Sequence, residues 1–139
     1  MVSLIVTTGL DKLLDATLKT GLAAPLWYVG FKDVGNIALD HTMAVHAAWA
    51  TITPYSNATN PAFTPGTISG GSVSNTASKA VFNINAGDDI YGAFITDNNV
   101  VGGATGILFG GGDFAAMRSV LSGDTLNVTI TITISWNSK

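Results

Sequence analysis

The chain has 139 residues and contains no cysteine, no glutamate and no glutamine. Without cysteine there is neither a disulfide framework nor a thiolate metal site, so the fold has to hold by packing alone. Charge is scarce too. Six basic residues and nine acidic ones, every one of them Asp, make up 11% of the sequence and leave a net charge of −3. The basic residues are scattered, which excludes the clustered Lys and Arg of a nucleic-acid footprint. No apolar run reaches the 18 or so residues of a membrane-spanning helix, so no membrane partner is expected. The opening Met1–Val6 is apolar but has neither a basic n-region nor a small-residue cleavage site, and it is not read as a secretory signal. The glycosylation sequons at Asn57 and Asn127 therefore carry no expectation.

What is present is apolar and hydroxylic. Apolar residues account for 47% of the chain, and Thr, Ser and Asn supply most of the polarity. Asn and Asp suit turns, and Thr suits strands. From Leu126 to Trp136 the alternation is unbroken: Leu126, Val128, Ile130, Ile132, Ile134 and Trp136 face one way, Asn127, Thr129, Thr131, Thr133 and Ser135 the other. Such a run reads as one strand, about 35 Å long at roughly 3.3 Å per residue. A strand wet on one face belongs to an antiparallel sheet.

Further runs at Leu26–Lys32, Trp49–Thr53, Lys79–Asn85, Ile90–Thr96 and Gly106–Phe109 are separated by turn signals. Spacing of that kind predicts a sandwich or barrel. Leu10, Leu13, Leu14 and Leu18 share a helical face and predict a helix over about 9–20, with Thr8 as a weak cap and Gly21 as the stop. Asp40 is placed to cap a second, short helix over 41–48. Pro54–Thr76 holds three of the four prolines and reads as loop, with one possible strand near 66–73. The expectation is a single domain over 1–139, mainly β. It is an antiparallel, jelly-roll-like sandwich of about eight strands, preceded by an N-terminal arm and helix over 1–24.

Reactive constellations are few. His41 and His46 are five residues apart, about 140° around a helix, and cannot chelate as an i, i+4 pair would. Asp88 and Asp89 are adjacent and would face opposite sides of a strand. Asp97–Gly102 imitates the start of a calcium loop, but the twelfth position is Leu108 rather than a carboxylate. Gly70–Ser74 lacks the closing glycine of a nucleophile elbow. Gly110-Gly111-Gly112, without a following Lys, reads as a bend or a place of close backbone packing. Trp27, Trp49 and Trp136 are expected in the core or at its edge, sugar stacking being the alternative. No enzyme activity, cofactor or metal is expected.

Several segments together carry a resemblance: W-Y-V-G-F at 27–31, D-H-T-M-A-V-H-A-A-W at 40–49, P-A-F-T-P-G-T-I-S-G-G-S-V-S-N at 61–75, A-V-F-N-I at 80–84, G-A-F-I-T at 92–96 and the stretch from Gly112 to Thr129. In this order they resemble a family of small virion proteins, the capsid cement or decoration proteins of short-tailed bacteriophages. That resemblance implies a jelly roll bound to the outside of the shell, assembled in the host cytoplasm, with the major capsid protein and a second copy of itself as partners. The alternative is a tail component or carbohydrate-binding module touching a host surface. The expected contacts are Val2, Leu4 and Ile5 in the arm and Tyr55, Phe63 and Ile68 in the loop-rich segment, because both stretches are weakly charged and lack regular alternation.

Overall fold

A computed structural model describes residues 2–19 and 25–134. Gly21 and Trp136, expected as a helix stop and a strand residue, lie outside them. The described residues form nine strands and one helix. They are β1 (Val2–Ile5), α1 (Thr7–Leu18), β2 (Tyr28–Lys32), β3 (Thr51–Ile52), β4 (Ser72–Ser74), β5 (Ala80–Asn83), β6 (Asp88–Thr96), β7 (Leu108–Val120), β8 (Thr125–Val128) and β9 (Thr131–Thr133). The fold is mainly β and antiparallel, with the expected short N-terminal helix.

Five strands make one sheet in the order β1-β7-β6-β2-β3, and β4-β9 and β5-β8 form two further pairs. The pairs pack over one face of the sheet. There Val29, Phe31, Ala93, Ile95 and Phe109 meet Phe82, Ile84, Val128 and Ile130 in one buried cluster. Phe31 stacks on Phe82 with ring centroids 3.9 Å apart, joining the two layers. Alternation in β6 sends Phe94 to the opposite face, where a second cluster of Val6, Met43, Trp49, Phe94 and Leu108 lies. Residues 33–50 supply the cover there.

The arm is not an arm. β1 is an edge strand, with Val2 paired to Asp113 and Ile5 to Gly110, and the Val6 that follows is fully buried. Deleting residues 1–6 would remove part of the sheet. The glycine triplet lies inside β7, where β1 and β6 flank it closely. A Cβ on Gly110 would run into the Leu4 carbonyl oxygen, and one on Gly111 into that of Ala93. The triplet is thus a site of close backbone approach and not a bend.

Two other expectations change. Residues 41–48 form turns instead of a helix, because side chains there bond the local backbone: the Val45 N–H donates to Thr42 Oγ1 at 3.0 Å, and the Ala38 N–H to His41 Nδ1 at 3.1 Å. The long closing strand breaks after Val128, so β8 pairs with β5 and β9 with β4. Asn75, fully buried, bridges the break. Its Nδ2 donates to Val128 O at 3.1 Å, and its Oδ1 accepts from Ile130 N at 2.7 Å. The two faces survive the break as far as Ile132, whereas Ile134, placed on the apolar face by the alternation, is exposed. Val128 and Ile130 are buried, Ile132 is half-buried, and Thr129, Thr131 and Thr133 are exposed.

Candidate functional site

Helix α1 lies against β7 through its small residues. Gly9 is its only buried residue, and a Cβ there would strike the Phe109 carbonyl. The Thr8 hydroxyl donates to Leu108 O at 2.7 Å instead of capping the helix, whose N-cap is Val6. Docking by the Gly9 side turns the opposite face outward. Leu10, Leu14 and Leu18, which share the face that predicts the helix, form an exposed stripe, rising from 41% to 75% exposure along the helix. Leu13, on the flank, is half-buried. The signal available in the sequence was Gly9 and Ala16, small residues seven apart that mark a close-packing face of their own.

The expected contact residues divide sharply. Tyr55 and Phe63 are core residues, 5% and 7% exposed, and form no surface. Proline-rich sequence around them obscures a segment whose aromatic residues turn inward, with Tyr55 edge-on to Phe31 at 5.5 Å. Leu4 and Ile5 are half-buried in the edge strand, and Ile5 packs on the main core. For Val2 only the backbone pairing is described. Ile68 is 74% exposed and stands free.

An apolar groove of about 310 Å³ opens between α1, the sheet and the β4-β9 pair, lined among others by Leu13, Trp27, Phe63, Ile68, Phe109 and Ile132. Trp27 stands edge-on to Phe109 at 5.1 Å. The groove and the leucine stripe meet at Leu13, next to the stripe on the helix.

The histidines serve the cover. His41 Nδ1 accepts from Trp49 Nε1 at 3.1 Å as well as from Ala38. His46 stacks on the Trp49 ring, centroids 4.1 Å apart and planes 18° apart, and its Nδ1 donates to Trp49 O at 2.8 Å. Together they hold Trp49 over Phe94, at 5.4 Å. The geometry pairs His41 with an indole and not with Asp40, so it sets up no acid–base dyad.

The carboxylates are occupied in the same local way. Asp97 Oδ1 accepts from Ile107 N at 2.7 Å, closing the loop that imitates a calcium site. Asp89 Oδ1 accepts from Ser119 Oγ at 2.5 Å, and Asp88 Oδ1 from the Asp89 N–H at 2.8 Å. Among the described residues no three His, Asp or Glu side chains converge on a metal-sized space.

One buried charge stands out. Lys32 is fully buried on β2, and its Nζ reaches Asp113 Oδ1 at 2.5 Å and Asp33 O at 2.9 Å. Lys32 pairs across to Gly92, and Gly92 to Asp113, so the side chain crosses the sheet over a residue without one. The ammonium is thereby spent on tying β2 to β7. Burial also pushes the Tyr55 phenol up to about 12; its O–H donates to Asn60 Oδ1 at 2.7 Å.

The sequence matches no family model, and no curated protein matches it.

Proposed function

We propose that the protein is a non-catalytic structural protein of a bacteriophage virion that attaches to the outside of the capsid and cements or decorates it. The observation that carries this reading is the outward leucine stripe of α1, joined by exposed Leu26 and Ile68. Three leucines at i, i+4 and i+8, unburied on a rigid β-scaffold, form a surface suited to another protein. The quoted family-like segments add support, since they map onto strands, the loop before β4 and the cover and not onto a reaction centre. The charges bordering the patch, Asp11, Lys12, Asp15 and Lys19, cancel one another, so attachment is driven by apolar burial and tolerates salt.

A shell offers many identical sites. A two-fold dimer would present the same patch twice, and two modest contacts then reinforce each other through effective concentration. The major capsid protein and a second copy are the partners this reading requires. The sugar-binding alternative needs aromatic rings laid open on one face, whereas Trp49 is buried and Trp27 packs on Phe109.

The test is co-sedimentation with purified particles. The intact chain is expected to travel with shells in both 0.1 M and 1 M salt. Leu14→Asp, which alters only the stripe, is expected to lose at least tenfold in occupancy while keeping the wild-type circular dichroism. Failure of the intact chain to bind, or full binding by the folded variant, would contradict the reading.

A further inference from the structure

We propose that the cover, residues 33–50, is a pH-gated lid, latched by the neutral ring of His41 and released when that ring takes up a proton. This stands apart from shell attachment and would hold if that reading failed.

The lid is pinned at its base and lightly held elsewhere. The Asp33 N–H donates to Ala50 O at 3.0 Å, and the Ala50 N–H to Asp33 Oδ1 at 2.6 Å, so the two ends stay together. Between them only Met43 and Trp49 are buried, with Ile37 packed beside them. The Thr7 N–H ties the middle to α1 by donating to Leu39 O at 2.9 Å. A segment with so few anchors opens more readily than the strands beneath it.

His41 is the latch. Its Nδ1 accepts twice, from the Trp49 Nε1–H and from the Ala38 N–H, both at 3.1 Å. A ring nitrogen that accepts carries no proton, so the imidazole is neutral and its proton sits on Nε2. An imidazolium has no acceptor in any orientation. Protonation therefore strips the partner from two N–H groups at once, one of them on buried Trp49. The ring is half-buried, within reach of water, and histidines as a class change charge between about pH 5 and 8. His46 differs. It gives its Nδ1–H to Trp49 O and keeps that bond when charged.

The charged groups around the lid are engaged elsewhere or lie in water. The lid packs on Val6, Phe94 and Leu108, all apolar. Asp97, between β6 and β7, accepts from the Ile107 N–H, and Asp113 of β7 holds Lys32 of β2. Asp40 on the lid and Asp11 on α1 are exposed.

The experiment is amide hydrogen exchange on the full chain at pH 7.5 and pH 5, read as protection factors so that the intrinsic pH dependence of exchange cancels. The amides of Thr7, Ala38 and Trp49 should lose protection at least tenfold at the lower pH, while those of β6 keep theirs. His41→Asn, whose Oδ1 stands near the place of Nδ1 and accepts at either pH, should hold the lid closed at both. His46→Phe, which retains a stacked ring, should still show the tenfold drop. If His41→Asn leaves the lid open at pH 7.5, the imidazole 15N shifts of the wild type decide. Nδ1 should be bare while the lid is closed, and its protonation should share a midpoint with the loss of protection. Unchanged protection at pH 5, a drop that β6 shares, or an equal drop in His41→Asn would overturn the proposal. So would a drop abolished by His46→Phe, or an Nδ1 protonated while the lid stays shut.

Discussion

Tyr55 shows how a single side chain links burial, hydrogen bonding and pH. Its phenol is pushed up to about 12 by desolvation, against about 10 in an unfolded chain. The folded state therefore keeps a proton that the unfolded state has lost between those values. The Tyr55 contribution to stability is fully present below about pH 10 and declines as pH rises toward about 12. Urea unfolding at pH 8 and pH 11 should show a smaller loss for Tyr55→Phe than for the wild type. Tyr55→Phe should itself cost about 1–2 kcal/mol at pH 8, because the buried Asn60 Oδ1 loses its donor. Identical declines in both proteins would show that the phenol is not the group responsible.

The Asn75 clasp and the alternating faces make a second pair of expectations. Ile130→Ala should cost about 2–5 kcal/mol, whereas exposed Thr131→Ala should change stability by less than about 0.5 kcal/mol. Asn75→Ala should cost about 2–4 kcal/mol, since it strips partners from a buried carbonyl and a buried N–H at once. Denaturant midpoints at fixed slope measure all three. A large loss at Thr131 would mean that the hydroxyl face is covered.

At the scale of elements, α1 is the sharpest case. Gly→Ala inside a helix ordinarily stabilises by about 0.5–1 kcal/mol. At Gly9 the added Cβ meets the Phe109 carbonyl, and the sign should reverse to a loss of about 1–3 kcal/mol. Leu14→Asp, on the outward face, should change thermal stability little. If Gly9→Ala stabilises and Leu14→Asp unfolds the chain, the helix docks by its leucine face and the stripe is core.

The same helix shows why part of the architecture was legible in the sequence and part was not. Periodicity reveals that a helix exists and which residues share a face, but not which face the tertiary structure chooses. The four leucines mark one face of the helix, and the close approach allowed by Gly9 leaves three of them exposed and Leu13 half-buried. Strands β2, β5 and β6 lay within two residues of their expected starts, because alternation is a local property of the pleat. The break at Thr129 was invisible: the alternation runs straight through it, and the side chain that permits it, Asn75, is more than fifty residues away. Tyr55 and Phe63 were misjudged for a similar reason. A proline-rich segment with no period gives no sign of which way its aromatic rings turn.

For the whole molecule, the two packed faces of the five-stranded sheet leave little surface with chemistry on it. The ammonium of Lys32, the rings of His41 and His46 and the carboxylates of Asp89 and Asp97 all have structural partners. Asp113→Ala should cost about 1–3 kcal/mol, because it removes the counter-charge from a fully buried Lys32. Ion-pair loss of this size would be seen in thermal unfolding, and an unchanged midpoint would mean that water replaces the carboxylate.

In the proposed function this scaffold carries an apolar helix face to a capsid surface, and electron cryomicroscopy of particles incubated with excess protein would image that contact. Density for the β-domain is predicted on the outer shell at symmetry-repeated positions, with α1 and its Leu10, Leu14 and Leu18 stripe turned toward the capsid protein. Bare shells, or density confined to the tail, would contradict it.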